Sequence, residues 1–353
     1  MRETRAAFIR AGLEGLYLSG IHRLARHLVS GAGAILTFHR VRPASEAAFQ
    51  PNRSLEITPT FLDELITSLR ASDVDIVSMD EVYERLVFGG GNRRRFVALT
   101  FDDGYRDNRS YALPILQRHD APFAMYVVPD YADGFGRMWW VTLEGAIAHN
   151  ETIEINVGGE RSVFDCTTTA AKDATFAALY EYVRTRPTHT EARLFVAHLA
   201  EIAGVDPEED CRALVMNWRE LRSFAEDPLV TIGAHTMSHP ILTQLDDDSA
   251  FAEIAGSAQA IAAKLGRPSE HFAYPVGQPY AAGPREFALA REAGFKTAVT
   301  TRPGVLFPDH AQHLTALPRI SVNGVFQSLH YIDVLLSGAP TALKNGFRRV
   351  DAA

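Results

Sequence analysis

With 353 residues, the chain has the length of two average domains or of one large barrel carrying an insertion. Apolar residues make up 46% and charged residues 22%, a globular composition that excludes a disordered chain. Lys+Arg 35 against Asp+Glu 43 leaves a net charge of −8, without the basic surplus of a dedicated nucleic-acid binder. The two cysteines, Cys166 and Cys211, are too few for a disulfide framework or a thiolate zinc site and fit a reducing compartment. No stretch approaches the roughly 18 consecutive apolar residues of a membrane span. Glu3, Arg10, Glu14 and Arg23 interrupt any secretory core near the N-terminus. The expected location is cytoplasmic, free or peripheral at the inner membrane.

Residues 4–28 read as one amphipathic helix, with Ile9, Leu13, Leu16, Tyr17, Ile21, Leu24 and Leu28 at three- and four-residue steps. Arg2, Arg5, Arg10, Arg23 and Arg26 decorate it. Such a helix either lies on an anionic membrane surface or packs its stripe on the body of the protein. From residue 34 onward, short apolar runs predict strands at 34–39, 75–78, 96–101, 123–128, 229–233, 272–274, 297–300 and 318–322. Between them, residues 60–70 place Phe61, Leu62, Leu65, Ile66 and Leu69 on one helical face, behind the start signals Thr58 and Pro59. Residues 248–265 carry a second such stripe, open on acidic residues and stop at Gly266. Strand–helix alternation implies a parallel sheet covered by helices. About seven or eight strands make this an α/β distorted (β/α) barrel, with chemistry expected at the strands' C-terminal ends.

The rhythm breaks between Asp130 and Asp227, where residues 152–157 alone look β-like and 170–186 and 190–203 look helical. The expected organisation is therefore an N-terminal helix over 1–30, a barrel over 31–340 with a mainly helical insertion at about 131–227, and a C-terminal tail over 341–353. Neither a repeat nor a low-complexity tract is visible.

Three clusters each follow a predicted strand. In Thr100-Phe101-Asp102-Asp103-Gly104, Gly104 lets the chain turn so that both carboxylates lean into one site, although Asp-Asp-Gly is also ordinary turn chemistry. In His235-Thr236-Met237-Ser238-His239, two histidines four apart on a helical turn can hold one metal ion. Two imidazoles and one carboxylate form a three-ligand set with an open position for water, and a second carboxylate beside it can accept a proton. The third, Phe272-Ala273-Tyr274-Pro275-Val276-Gly277, reads by itself as a strand running into a turn.

Together these motifs resemble the polysaccharide deacetylase family, the NodB-homology or carbohydrate esterase family four, from about Ile35 to Val322. The segments Ile35-Leu36-Thr37-Phe38-His39-Arg40-Val41, Ile57-Thr58-Pro59-Thr60-Phe61 and Val77-Ser78-Met79-Asp80-Glu81 are similar to the opening of the branch that includes the poly-N-acetylglucosamine deacetylases. The resemblance implies that Asp103, His235 and His239 hold one divalent metal, Zn2+ with Co2+ or Ni2+ as alternatives, and that Asp102 is the general base. The family's usual Leu-x-His acid has no counterpart, since Leu329-His330 has the wrong spacing. In the resembling branch a histidine of the opening strand takes that role, which assigns it to His39, with His313 and His330 as substitutes.

The family's third motif usually carries an arginine that steadies the base, and Ala273 stands at that position. Arg319 is the expected stand-in, and the Val276 N–H the expected oxyanion donor. Trp139 and Trp140 either stack on sugar rings or anchor the insertion. The implied activity is removal of an N-acetyl group from an amino sugar in a polysaccharide, oligosaccharide or glycolipid. The alternatives are a deformylase or other amide hydrolase on a lipid-linked amino sugar, or a carbohydrate-binding homologue with impaired catalysis. The implied partners are a carbohydrate or glycolipid, with no nucleic acid.

Overall fold

Runs of buried apolar residues set the centre of the molecule. The computed structural model describes residues 2–72, 74–89 and 94–352, with residues 2–6 described by backbone alone. Its strands in chain order are β1 (Gly33–Phe38), β2 (Arg40–Val41), β3 (Glu56–Ile57), β4 (Val74–Val77), β5 (Arg95–Phe101), β6 (Phe123–Val127), β7 (Thr152–Val157), β8 (Glu160–Asp165), β9 (Val230–Ala234), β10 (His271–Ala273), β11 (Thr297–Val299) and β12 (Ile320–Ser321). Eight of them form a parallel sheet in the order β11-β10-β9-β6-β5-β1-β12, with β4 paired to the first half of β5. A bridge between Val299 and Leu317 brings the two edges back together, so the sheet curls into a nearly closed, distorted barrel. Each strand expected from the apolar runs is present, the last shortened to Ile320–Ser321.

Both faces of β1, β5 and β6 are covered, as parallel sheets require. Leu36, Phe38, Leu99, Phe101, Phe123 and Met125 face the outer helices. Ile35, Ala98, Ala124 and Tyr126 belong to a smaller inner cluster. Because side chains alternate with period two, the inner row of β1 runs Ile35, Thr37, His39 and that of β5 runs Ala98, Thr100, Asp102. The parallel register sets Thr37 beside Thr100 and Phe38 beside Phe101, so the next inward pair is His39 and Asp102.

The helix expected over 60–70 is Pro59–Ala71, capped by the Thr58 hydroxyl accepting from the Phe61 N–H at 3.2 Å. That expected over 248–265 is Asp247–Leu265, opened by an Asp246 cap and ended by Gly266 in the left-handed region. Residues 4–28, by contrast, are not one helix. They form α1 (Arg2–Leu18) and α2 (Ile21–Val29), because Gly20 at φ 68° breaks the run and turns the second helix onto a different face. The side chains of Arg2 and Arg5 lie outside the described residues. Residues 341–344, expected within a tail, belong to the helix Ala339–Lys344.

The segment after residue 130 is helical around Trp139–His149, Thr169–Arg184, His189–Ala203, Pro207–Leu214 and Trp218–Phe224. It also holds a hairpin missed in the sequence, β7 paired antiparallel with β8 across Gly158-Gly159. Both glycines have positive φ, the requirement of a tight two-residue hairpin turn. A core of its own, including Leu143, Ile153, Phe176, Leu179 and Leu199, holds this segment together. A further cluster of Tyr105, Tyr131, Met138, Trp140 and Val215 joins it to the barrel.

Candidate active site

The inward rows of β1 and β5 end on His39 and Asp102. Asp102 still belongs to the sheet, its N–H donating to the Phe38 carbonyl at 3.0 Å. The next residue leaves it, with Asp103 at φ 70° and Gly104 also at φ 70°. That turn brings two adjacent carboxylates into one buried site, as the glycine suggested, but the left-handed step begins on Asp103 itself.

Asp103 Oδ1 stands 3.5 Å from His235 Nε2 and 3.5 Å from His239 Nε2. The candidate donor atoms of these three residues all lie within 4.8 Å of one another. His235 donates from Nδ1 to the Ala273 carbonyl at 2.6 Å, which leaves Nε2 to face the carboxylate. Burial pushes the His239 pKa down to about 4, so at neutral pH this ring is uncharged and offers a lone pair. Burial also opposes ionisation of Asp103, but the imidazoles facing it, His235 foremost, outweigh it and hold that carboxyl below its ordinary range. Oδ1 of Asp103 is buried without a hydrogen-bond partner among the described residues. An orphaned, ionised oxygen between two imidazole nitrogens suits a divalent cation, and the residues therefore fit the group that the sequence pattern implied.

The histidine pair does not sit on a helical turn. Residues 235–239 form an irregular loop in which Thr236 and His239 have φ of 60° and 64°. Thr236 Oγ1 accepts from the His239 N–H at 3.0 Å. From the helix Asp247–Leu265, Glu253 accepts from the Ser238 N–H at 2.9 Å and from its hydroxyl at 2.7 Å. Among the described residues, six non-glycines have positive φ, and four of them are Asp103, Thr236, His239 and Val276. Strain gathers where the surrounding structure must aim a functional group.

Arg319 fills the gap left by Ala273. Its guanidinium, fully buried, donates from Nη1 to Asp102 Oδ1 and from Nη2 to Oδ2, both at 2.7 Å, in a bidentate fork. Nε–H donates to the Thr300 carbonyl at 2.9 Å and so fixes the fork's plane. Burial alone would raise the Asp102 pKa, but the charges of Arg319 and His235 hold it far below the carboxylate norm. His39 Nε2 lies 4.0 Å from Asp102 Oδ2, on a half-buried ring. Asn108 donates to the His39 carbonyl at 2.8 Å and pins its backbone.

The tryptophans divide between two settings. Trp140 is buried, donates to the Tyr105 hydroxyl at 3.2 Å and packs its ring 5.2 Å from that of His239, anchoring the inserted segment at the site. Trp139 lines a cavity of 100 Å³ that also includes His239, Ser238 and Asp130. Val276 follows the strand whose Ala273 holds His235, and its N–H donates to no group among the described residues. The substitutes lie elsewhere: His330 stacks on Tyr17 at 4.2 Å, and His313 is exposed after a short 3-10 turn. Asn108 and Glu253 belong to no motif that could have singled them out, whereas Thr37 lies in the quoted opening segment and shares the inward parity of His39.

Comparisons with known proteins place the chain in a family. A family model described as polysaccharide deacetylase matches residues 89–155 and 163–298. That span holds Asp102, Asp103, His235 and His239, whereas His39 and Arg319 fall outside it. No curated protein matches the chain. Among solved structures, a Streptococcus pyogenes deacetylase, PplD, in complex with acetate is 18% identical, covering 86% of this chain and 96% of its own, with a TM-score of 0.57. A de-N-acetylase from Aggregatibacter actinomycetemcomitans is 13% identical, with coverage of 86% and 99% and a TM-score of 0.55. IcaB from Ammonifex degensii is 17% identical, with coverage of 87% and 97% and a TM-score of 0.51. At these identities the likeness is one of fold.

Proposed function

Since the chain belongs to the polysaccharide deacetylase family and is thereby a hydrolase of carbon–nitrogen bonds, we propose that it removes the N-acetyl group from an amino sugar of a saccharide, with a divalent metal held by Asp103, His235 and His239. The observation that carries this reading is the Arg319 fork on Asp102, which supplies from just before β12 the support missing at Ala273. It also weighs against an impaired, binding-only homologue, because the base keeps both its charge and its aim.

When bound, a divalent ion, most simply Zn2+, supplies Lewis acidity, lowering the pKa of a water and polarising the acyl oxygen. The remaining work falls to the chain. Asp102, ionised and fixed by Arg319, accepts the proton of the attacking water on an oxygen that carries no other strong donor than the fork and Thr37, whose hydroxyl lies 3.4 Å away. Val276 offers its free N–H to the oxyanion. His39, across the inward row from Asp102, returns a proton to the departing nitrogen, so the products are acetate and a free amine. Trp139 supplies an apolar wall for a sugar ring. A cytoplasmic location is part of the same reading, supported by the buried, unpaired thiols Cys166 and Cys211.

The test is acetate and free-amine release from N-acetylglucosamine oligomers, paired with metal analysis. Asp102→Asn is expected to lose about 10²–10⁴-fold in kcat while keeping its metal. Asp103→Ala with His235→Ala is expected to lose both. Full activity in the first variant, or undiminished metal in the second, would overturn the assignment.

A further inference from the structure

The helix α2 is inside out. The face it turns toward the body is polar: His22 is fully buried, with Nδ1 donating to the Leu16 carbonyl at 2.8 Å and Nε2 3.1 Å from Asp333. Arg26 pairs with the same carboxylate. The face turned to solvent is apolar, with Ile21 54%, Leu24 77% and Leu28 79% exposed at i, i+3 and i+7, and Leu18 76% exposed just before them. An ordinary surface helix does the reverse. The stripe is held outward because the body-facing side is fixed by His22, buried against Asp333 and the Leu16 carbonyl, and by the partly exposed Arg26–Asp333 pair; rotating the helix would break all three contacts.

The stripe continues onto its neighbour. The helix Ala339–Lys344 packs against α2 and adds the exposed Leu343, and Phe347 follows it, also exposed. A cavity of 270 Å³ has Leu28, Phe347, Arg348 and Arg349 together on its lining. Around these apolar side chains stand Arg23, Lys344, Arg348 and Arg349, none of which pairs with a carboxylate among the described residues. The nearby acids Asp333 and Asp351 are paired with Arg26 and Arg302, which leaves this end a surplus of cations on a chain that carries −8 as a whole. The patch flanks the start of β1, whereas the catalytic cluster lies at that strand's far end.

We propose that this patch docks the protein onto an anionic lipid bilayer, with Leu18, Ile21, Leu24 and Leu28 entering the acyl boundary and the unpaired cations meeting the headgroups. An aqueous protein partner would be expected to answer the cations with a shaped acidic surface. An exposed apolar stripe beside cations that lack carboxylate partners instead matches a fluid interface.

The full chain is tested by flotation with vesicles of phosphatidylglycerol and phosphatidylcholine against pure phosphatidylcholine, with light scattering in lipid-free buffer. The wild type is expected to float with the anionic vesicles only. Leu24→Glu with Leu28→Glu is expected to lose binding by at least about tenfold with its thermal midpoint unchanged, since both positions are exposed. Arg348→Glu with Arg349→Glu is expected to lose it in a salt-dependent manner. Failure of the wild type to float, equal binding of the first variant, or equal binding to neutral vesicles would overturn the proposal. So would a lipid-free dimer that the first variant abolishes, because a second copy would then own the stripe. None of these readouts involves acetate release, so the proposal stands or falls apart from the catalytic reading.

Discussion

In the proposed reaction Asp102, a buried carboxylate, must remain charged and still accept a proton. Desolvation works against the charge, and the fork from Arg319 overrides it. The two demands meet because a guanidinium cannot itself give up its proton, so it neutralises the site without competing for the role of acid. Arg319→Lys keeps the charge but cannot grip both oxygens. It is expected to fold, to retain metal and to lose about 10²-fold in kcat through misaimed geometry. Steady-state kinetics beside metal analysis check this, and unchanged kcat would mean the fork is dispensable. Arg319→Met leaves the carboxylate buried and unpaired, and is expected to cost about 3–5 kcal/mol in urea unfolding. At this scale much was readable in advance: Asp103, His235 and His239 converge as their residue types suggested. The link between Arg319 and Asp102 was a guess from sequence, because the two lie more than two hundred positions apart and share no local signal.

Single elements aim these side chains. The loop 235–239 cannot satisfy its own backbone, and the helix Asp247–Leu265 answers it through Glu253 and through the Glu253 carbonyl, which accepts from the Met237 N–H at 3.1 Å. Without that buttress His239, held at positive φ, has no reason to keep its orientation. Glu253→Ala is therefore expected to weaken metal affinity by about 10–100-fold, as loss of an outer supporting group does elsewhere. Competition with a metal-sensitive dye measures it, and an unchanged affinity would assign Glu253 to helix solubility alone. The elements also show why pattern reading stops short. Spacing of four suggested a helical turn for the histidines, because sequence distance reports proximity but not backbone conformation. Residues 4–28 suggested one helix, since the periodicity runs on through Gly20, and only the turn at that glycine reveals that the second half faces the other way.

For the whole molecule, the site is a junction of distant segments, and the three residues proposed as ligands come from two strand ends that only the barrel brings together. A cation bound across them stabilises the folded chain over the unfolded one by mass action. Stripping metal with a chelator is expected to lower the thermal midpoint by roughly 5 °C and abolish acetate release, with both restored by Zn2+. Asp103→Ala should start at the lower midpoint and ignore the chelator, and a wild type equally indifferent would argue against a bound ion. The sequence alone determined the strands of the central sheet, the parallel α/β class and the residue types that the proposed metal-assisted hydrolysis needs, because burial periodicity and chemical identity are local properties. Tertiary structure decided which arginine grips Asp102, which tryptophan lines the cavity and which is buried, and which face of α2 meets solvent. Those are properties of contact, set by how the sheet curls and what each side chain finds opposite it, and no spacing along the chain encodes them.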